Sequence, residues 1–190
     1  PVLIPDANFE QALIDDGIDS DGIINGQILA GDATGQTLLS VNSSSITDLT
    51  GIEAFTNLVD LNCAFNQLTS LDLSNNTALN RLLCNNNQLS NLDLSNNTSL
   101  DYLECFDNQL TSLDLSNNPL LEDVNCQDNQ LMSLDLSNNT ALINLSCDDN
   151  QLMSIDVSNS PLLKIFGCDD NQLMSIDVSN NTALVNLICE

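Results

Sequence analysis

From Leu58 onward the apolar positions fall in a fixed frame. The coil from Leu79 to Ser99 carries apolar side chains at its first, fourth, sixth, eleventh, fourteenth and sixteenth places: Leu79, Leu82, Cys84, Leu89, Leu92 and Leu94. The frame returns every 21 residues, and the cysteines at 63, 84, 105, 126, 147, 168 and 189 mark it. A strict period of this length is the signature of a solenoid, in which each coil buries its apolar face against the next. Leu82 and Cys84 flank an outward Leu83, so this stretch predicts a short strand. Ser90 to Ser95 alternates in the same way and predicts a second strand. Strands repeated in register every coil must pair in parallel with their copies. One coil alone buries too little to offset the ordering of its backbone, so the coils fold only as a stack.

The motif Leu-x-x-Leu-x-Cys-x-x-Asn-x-Leu followed by Leu-Asp-Leu-x-x-Asn resembles bacterial leucine-rich repeats, in their short 21-residue subclass of two nested half-repeats. The resemblance covers residues 58–190. The preceding coil, with Leu39, Val41, Ile46, Leu49, Ile52 and Phe55, is one residue longer and looks like the internalin type, with Asp48-Leu49-Thr50-Gly51-Ile52 as its signature. The implied fold is a right-handed parallel β-solenoid, mainly β or α/β in class, with a short N-terminal helical cap. The expected organisation is a cap at 1–35 and a solenoid at 36–190. The solenoid comprises an internalin-like coil at 36–57, six coils at 58–183 and an incomplete coil at 184–190.

In the cap, Pro5 to Gly17 reads as a helix. Asp6 is its N-cap, Phe9, Leu13 and Ala12 form its buried face, and Gly17 is its stop. It would cover the open apolar end of the first coil, as solenoids require. The next stretch, Gly17 to Ile28, is reminiscent of a calcium loop. Asp19, Asp21, Gly22 and Asn25 fit the third, fifth, sixth and ninth loop places, but Gly17 and Ile28 stand where the first acid and the bidentate glutamate should be. An Asx-rich turn is the default, and weakly bound calcium on Asp19, Asp21 and Asn25 is the alternative; no other cofactor is expected.

Three polar or sulfur ladders follow from the frame. The cysteines sit at an inward place and read as buried free thiols acting as small hydrophobes. Asn66, Asn87, Asn108, Asn129, Asn150 and Asn171 sit where the first strand turns away and satisfy turn backbone groups. Asp72, Asp93, Asp114, Asp135, Asp156 and Asp177 form an outward row, read as a solvated face with a low-affinity cation stripe as the sharper alternative. Met132, Met153 and Met174 share one place after the turn and are expected to pack as a satellite row.

Charge narrows the partners. The chain has 27 acidic residues against two basic ones, Arg81 and Lys164, and no histidine or tryptophan. A net charge of −25 repels nucleic acid and anionic membranes. There is no long apolar run, so no membrane insertion is expected. The opening Pro1-Val2-Leu3-Ile4-Pro5 is that expected of a trimmed protein, which suits secretion. The coil that ends the sequence leaves Leu184, Leu187 and Cys189 without a cover, so either a longer natural chain or end-to-end self-association is expected.

Function should lie where coils differ while the frame stays fixed. The resemblance puts ligands on the concave face, built from the outward side chains of the first strand. There the large residues cluster in three consecutive coils: Phe65, Arg81, Leu83, Tyr102, Glu104 and Phe106, flanked by Asp60 and Asp123. Tyr, Phe and Arg are the types that anchor interfaces. The expectation is a non-catalytic protein-binding or adhesion module, secreted or at the cell surface. A structural spacer, or a glycan-binding module of a larger polysaccharide-processing protein, is the alternative. An enzyme is not expected, because an open concave face offers little to separate the pKa values of a carboxylate pair such as Glu104 and Asp123.

Overall fold

The computed structural model describes residues 1–189; Glu190, the last residue of the incomplete coil, lies outside the described residues. Eight short parallel strands form one sheet in chain order: β3 (Leu38–Ser40), β4 (Asp60–Asn62), β5 (Arg81–Leu83), β6 (Tyr102–Glu104), β7 (Asp123–Asn125), β8 (Asn144–Ser146), β9 (Ile165–Gly167) and β10 (Asn186–Ile188). Register follows the sequence frame: Asp60 pairs with Arg81, Arg81 with Tyr102, and Tyr102 with Asp123. The middle residue of β3 to β9 points into the core and its neighbours point out, as the two-residue alternation requires. Behind the sheet, one continuous apolar core runs from Ile4 of the cap to Cys168.

The predicted second strand is a correction. Leu92 and Leu94 are buried and Asp93 is exposed, as the alternation says, but the segment forms no strand. The N–H groups of Leu92, Asp93 and Leu94 make no ladder bonds to the neighbouring coils. Instead Asp93 Oδ1 accepts the N–H of Ser95 at 2.9 Å, and Asp72, Asp114, Asp135, Asp156 and Asp177 do the same for the serine two residues on. A side chain that captures a nearby backbone donor competes with the ladder. The outward aspartates are therefore turn-forming groups as well as a solvated row.

Two asparagine ladders tie the coils together. In the first, Asn87 Nδ2 donates to the carbonyls of Cys63, Cys84 and Asn85, and Asn87 Oδ1 accepts from Leu68 N. Asn108, Asn129, Asn150 and Asn171 repeat the pattern one coil later each time. The second was not anticipated from the sequence. Asn76, Asn97, Asn118, Asn139 and Asn181 are buried, and each donates to two carbonyls of the preceding coil; Asn97 reaches Leu73 and Asn76. One rung departs from it: Ser160 reaches only the Asn139 carbonyl, at 3.2 Å. Six thiols, Cys63 to Cys168, are free and buried, and Cys189 is exposed. Burial raises the pKa of Cys63 and Cys105 to about 12, so they remain thiols.

The cap is helix α1 (Ala7–Asp15), helix α2 (Ala30–Thr34) and a two-stranded antiparallel ribbon of β1 (Val2–Leu3) and β2 (Gln27–Ile28). Phe9 and Leu13 seal the first coil, with the Phe9 and Phe55 rings 6.4 Å apart. Asp6 joins cap to coil. Its Oδ1 caps α1 through the N–H groups of Asn8 and Phe9, and its Oδ2 accepts from Thr47 N, Thr47 Oγ1 and Asp48 N. Glu10, buried on α1, holds the N–H groups of Asn25, Gly26 and Gln27. Met132, Met153 and Met174 correct another expectation: they are 62%, 67% and 95% exposed, because the preceding leucines take the inward place.

Three outcomes follow. Asn129→Ala should lose about 2 kcal/mol or more in denaturant unfolding, since the Cys105 and Cys126 carbonyls and the Leu110 N–H lose their side-chain partner together. Ser160→Asn should gain about 1 kcal/mol by restoring a donor to the Leu136 carbonyl, as Asn139 supplies one to Leu115. Acid should destabilise the chain. For Asp6, burial pushes the pKa up but the bonds from Thr47, Phe9 and Asp48 outweigh it; the outward aspartates are held down by their serine bonds. These depressed values make a stabilisation present above the ordinary aspartate range and lost as pH falls through the folded values. Melting temperature followed from neutral to strongly acid pH should drop there.

Candidate functional site

The outward residues of β4 to β8 bring most of the sequence-predicted cluster onto one sheet face. Arg81 lies between two partners. Its Nη1 is 3.4 Å from Asp60 Oδ2, and its guanidinium carbon sits 4.6 Å from the centre of the Tyr102 ring. The Tyr102 hydroxyl donates to Glu104 on the same strand. That bond, then burial, raises the phenol pKa and keeps it a donor, while Arg81 acts the other way. A string of side chains, Asp60, Arg81, Tyr102 and Glu104, thus crosses three coils with its charges alternating. An exposed ion pair of this kind adds little stability. What the string does is fix two rotamer-rich side chains in place.

Leu83 stands beside it, paired in register with Asn62 and Glu104, and is half-buried. Asp123 accepts from Asn144 Nδ2 on the next strand. Tyr102, Glu104, Asp123, Asn125, Asn144 and Ser146 line a shallow polar groove. Asn144 belongs to the site and was not singled out in the sequence; its place in the frame was the available signal. Asn80 and Asp101, bonded at 2.8 Å, extend the polar network at the strand entry.

The two phenylalanines lie at the rim and do not stack on one another. Phe106 is half-buried and Phe65 is 56% exposed. Phe65 occupies a left-handed turn position, with φ 55°. The equivalent residues in later coils are Asn86, Asp107, Asp128, Asp149 and Asp170, all at positive φ. Asn and Asp tolerate that conformation because their short side chains bond locally; an aromatic side chain is strained there. An exposed phenylalanine in a strained position is an outlier of the kind found at binding sites.

Beyond the groove the face is acidic. Asp148 accepts from Asp169 N at 2.9 Å, and its carboxylate sits over Gly167, where a Cβ would come within 2.7 Å of it. Burial, then Asp169 and Asp149, raise its pKa against the Asp169 bond, and burial with Asp149 and Asp107 does so for Asp128. Asp19, Asp21 and Asn25 are remote from this face, in the cap. Asp21 accepts from Ile23 N and Asn25 Nδ2, and Asp19 accepts from Asp21 N.

Comparison with known proteins gives consistent relatives, although no protein-family model matches the chain. A 41-residue stretch, 22% of the chain, is 54% identical to internalin J of Listeria monocytogenes serotype 4b, and corresponds to 4% of that protein. The solved functional domain of InlJ from Listeria monocytogenes, which includes a cysteine ladder, superposes on 98% of this chain with a TM-score of 0.80 and 36% identity; the match spans 46% of that domain. Internalin C2 of the same species shares the fold, with a TM-score of 0.74 at 24% identity over 99% of this chain and 95% of its own. No helix among the described residues is long and apolar enough to cross a membrane. The cysteine-bearing frame, the helical cap and these likenesses agree: the chain is an internalin-like bacterial leucine-rich-repeat protein.

Proposed function

We propose that the chain is a non-catalytic protein-binding module, secreted or held at a cell surface, that takes its ligand on the concave sheet face. The reading rests above all on the Arg81–Tyr102 stack held between Asp60 and Glu104. An arginine and a tyrosine fixed before the partner arrives give up little further side-chain freedom on binding. At the rim of the same face, Phe65 keeps an aromatic ring in water at the expense of backbone strain, which a purely structural coil would relieve with asparagine. A protein ligand suits the site better than a glycan. Sugars stack on platforms of open aromatic faces; the Arg81 guanidinium occupies one face of Tyr102, and the exposed Phe65 ring stands apart at the rim.

Arg81→Ala and Tyr102→Ala should each weaken capture of a surface-extract protein by about 30-fold or more, the scale of an interface anchor. Melting should stay within a degree or so of the parent, and Asp93→Ala, away from this face, should leave binding unchanged while lowering stability through the lost Ser95 bond. Concave substitutions that are silent in binding would leave a structural spacer as the reading. Phe65→Asn supplies a further check: stability should rise by about 1 kcal/mol as the strain is relieved, while binding falls.

A further inference from the structure

The sequence motif in the cap lacks two of the acids a calcium loop needs. The fold supplies carboxylates that the linear spacing does not show. Asp32, from α2, accepts from both Ser20 N and Ser20 Oγ, which places it against the Asp19-Ser20-Asp21 segment. Glu10 approaches from α1 and is fully occupied by backbone N–H groups. Asp19, next to Ser20 in the chain, is only 4% exposed. One of its oxygens accepts from Asp21 N, and the other, Oδ2, is buried without a partner. No lysine or arginine lies in the cap to offset that charge; Arg81 and Lys164 are both in coils.

A buried carboxylate oxygen with no donor, in a cap with no basic side chain, is costly unless a cation completes it. We propose that the loop from Asp19 to Asn25, closed by Asp32, is a calcium site, with Asp19 Oδ2 at its buried end. Calcium suits it better than magnesium, because it accepts an irregular set of six to eight oxygens whereas magnesium demands a near-ideal octahedron. Among the described residues no three acids yet enclose a common point. Binding must therefore draw Asp21 and Asp32 from their bonds to Asn25 and Ser20, which places the affinity in the weak class of about 10⁻⁴–10⁻³ M.

The test is thermal melting of the whole chain in chelator, in 10 mM calcium, and in sodium chloride of matched ionic strength. Calcium should raise the melting temperature by roughly 3–10 °C beyond the sodium match. Asp19→Asn should reverse sign: in chelator it melts at or above the parent, since a buried charge is gone, and in calcium below it. Asp32→Asn keeps an oxygen for Ser20 and should lose most of the calcium response; it decides the question if Asp19→Asn does not fold. Asp93→Asn, remote from the cap, should respond as the parent does. Calcium no better than sodium, or a full calcium response in Asp32→Asn, would overturn the proposal.

Discussion

Side-chain amides that donate to the carbonyls of the preceding coil hold this molecule in register. The leucine layers supply the drive to bury surface, but they are nearly the same in every coil and do not fix which coil sits where along the axis. Asn87 bonds to Cys63 below it and Cys84 beside it, and Asn97 bonds to Leu73 and Asn76. The Asn87 amide supplies a donor to buried turn carbonyls, and the Asn97 amide adds a second donor to carbonyls that already accept one backbone N–H. Because the bonds point to fixed offsets in sequence, they convert a periodic pattern into one alignment of neighbouring strands, and that alignment puts Asp60, Arg81 and Tyr102 side by side.

Much of this was legible in the chain itself. The 21-residue frame gave the parallel register, the inward cysteines and the turn asparagines, because each depends on spacing alone. The cap helix was readable because Asp6, Phe9, Leu13 and Gly17 stand at standard capping and face positions. The second strand was misread. Leu92-Asp93-Leu94 alternates as a strand does, yet Asp93 turns to its own serine, and alternation reports which way side chains face without reporting what the backbone bonds to. The inner asparagine row was missed for the opposite reason: an asparagine pair after a serine looks like a loop, and only the stack shows that Asn97 is wholly buried.

The candidate site was partly visible. Arg81, Tyr102 and Glu104 could be placed on one face from the frame, but their order of contact could not. Which side the arginine leans to depends on the groups it finds, Asp60 on one strand and a ring face on the other. The strain at Phe65 was also hidden, since backbone angle is set by the turn that the other coils fill with asparagine and aspartate. In the cap, Asp32 reaches Ser20 only because α2 folds back over the loop, a meeting that no linear spacing encodes.

The rung at Ser160 divides the solenoid unevenly. On its N-terminal side lie the cap, the aromatic and arginine patch and four unbroken pairs of amide bonds; on the other lie β9, β10 and the acidic edge. A molecule pulled along its axis would part at that seam first. The recognition surface would then stay intact on the larger fragment while the smaller one unravelled, so a tether attached at the C-terminal side could give way under load without releasing what the concave face holds.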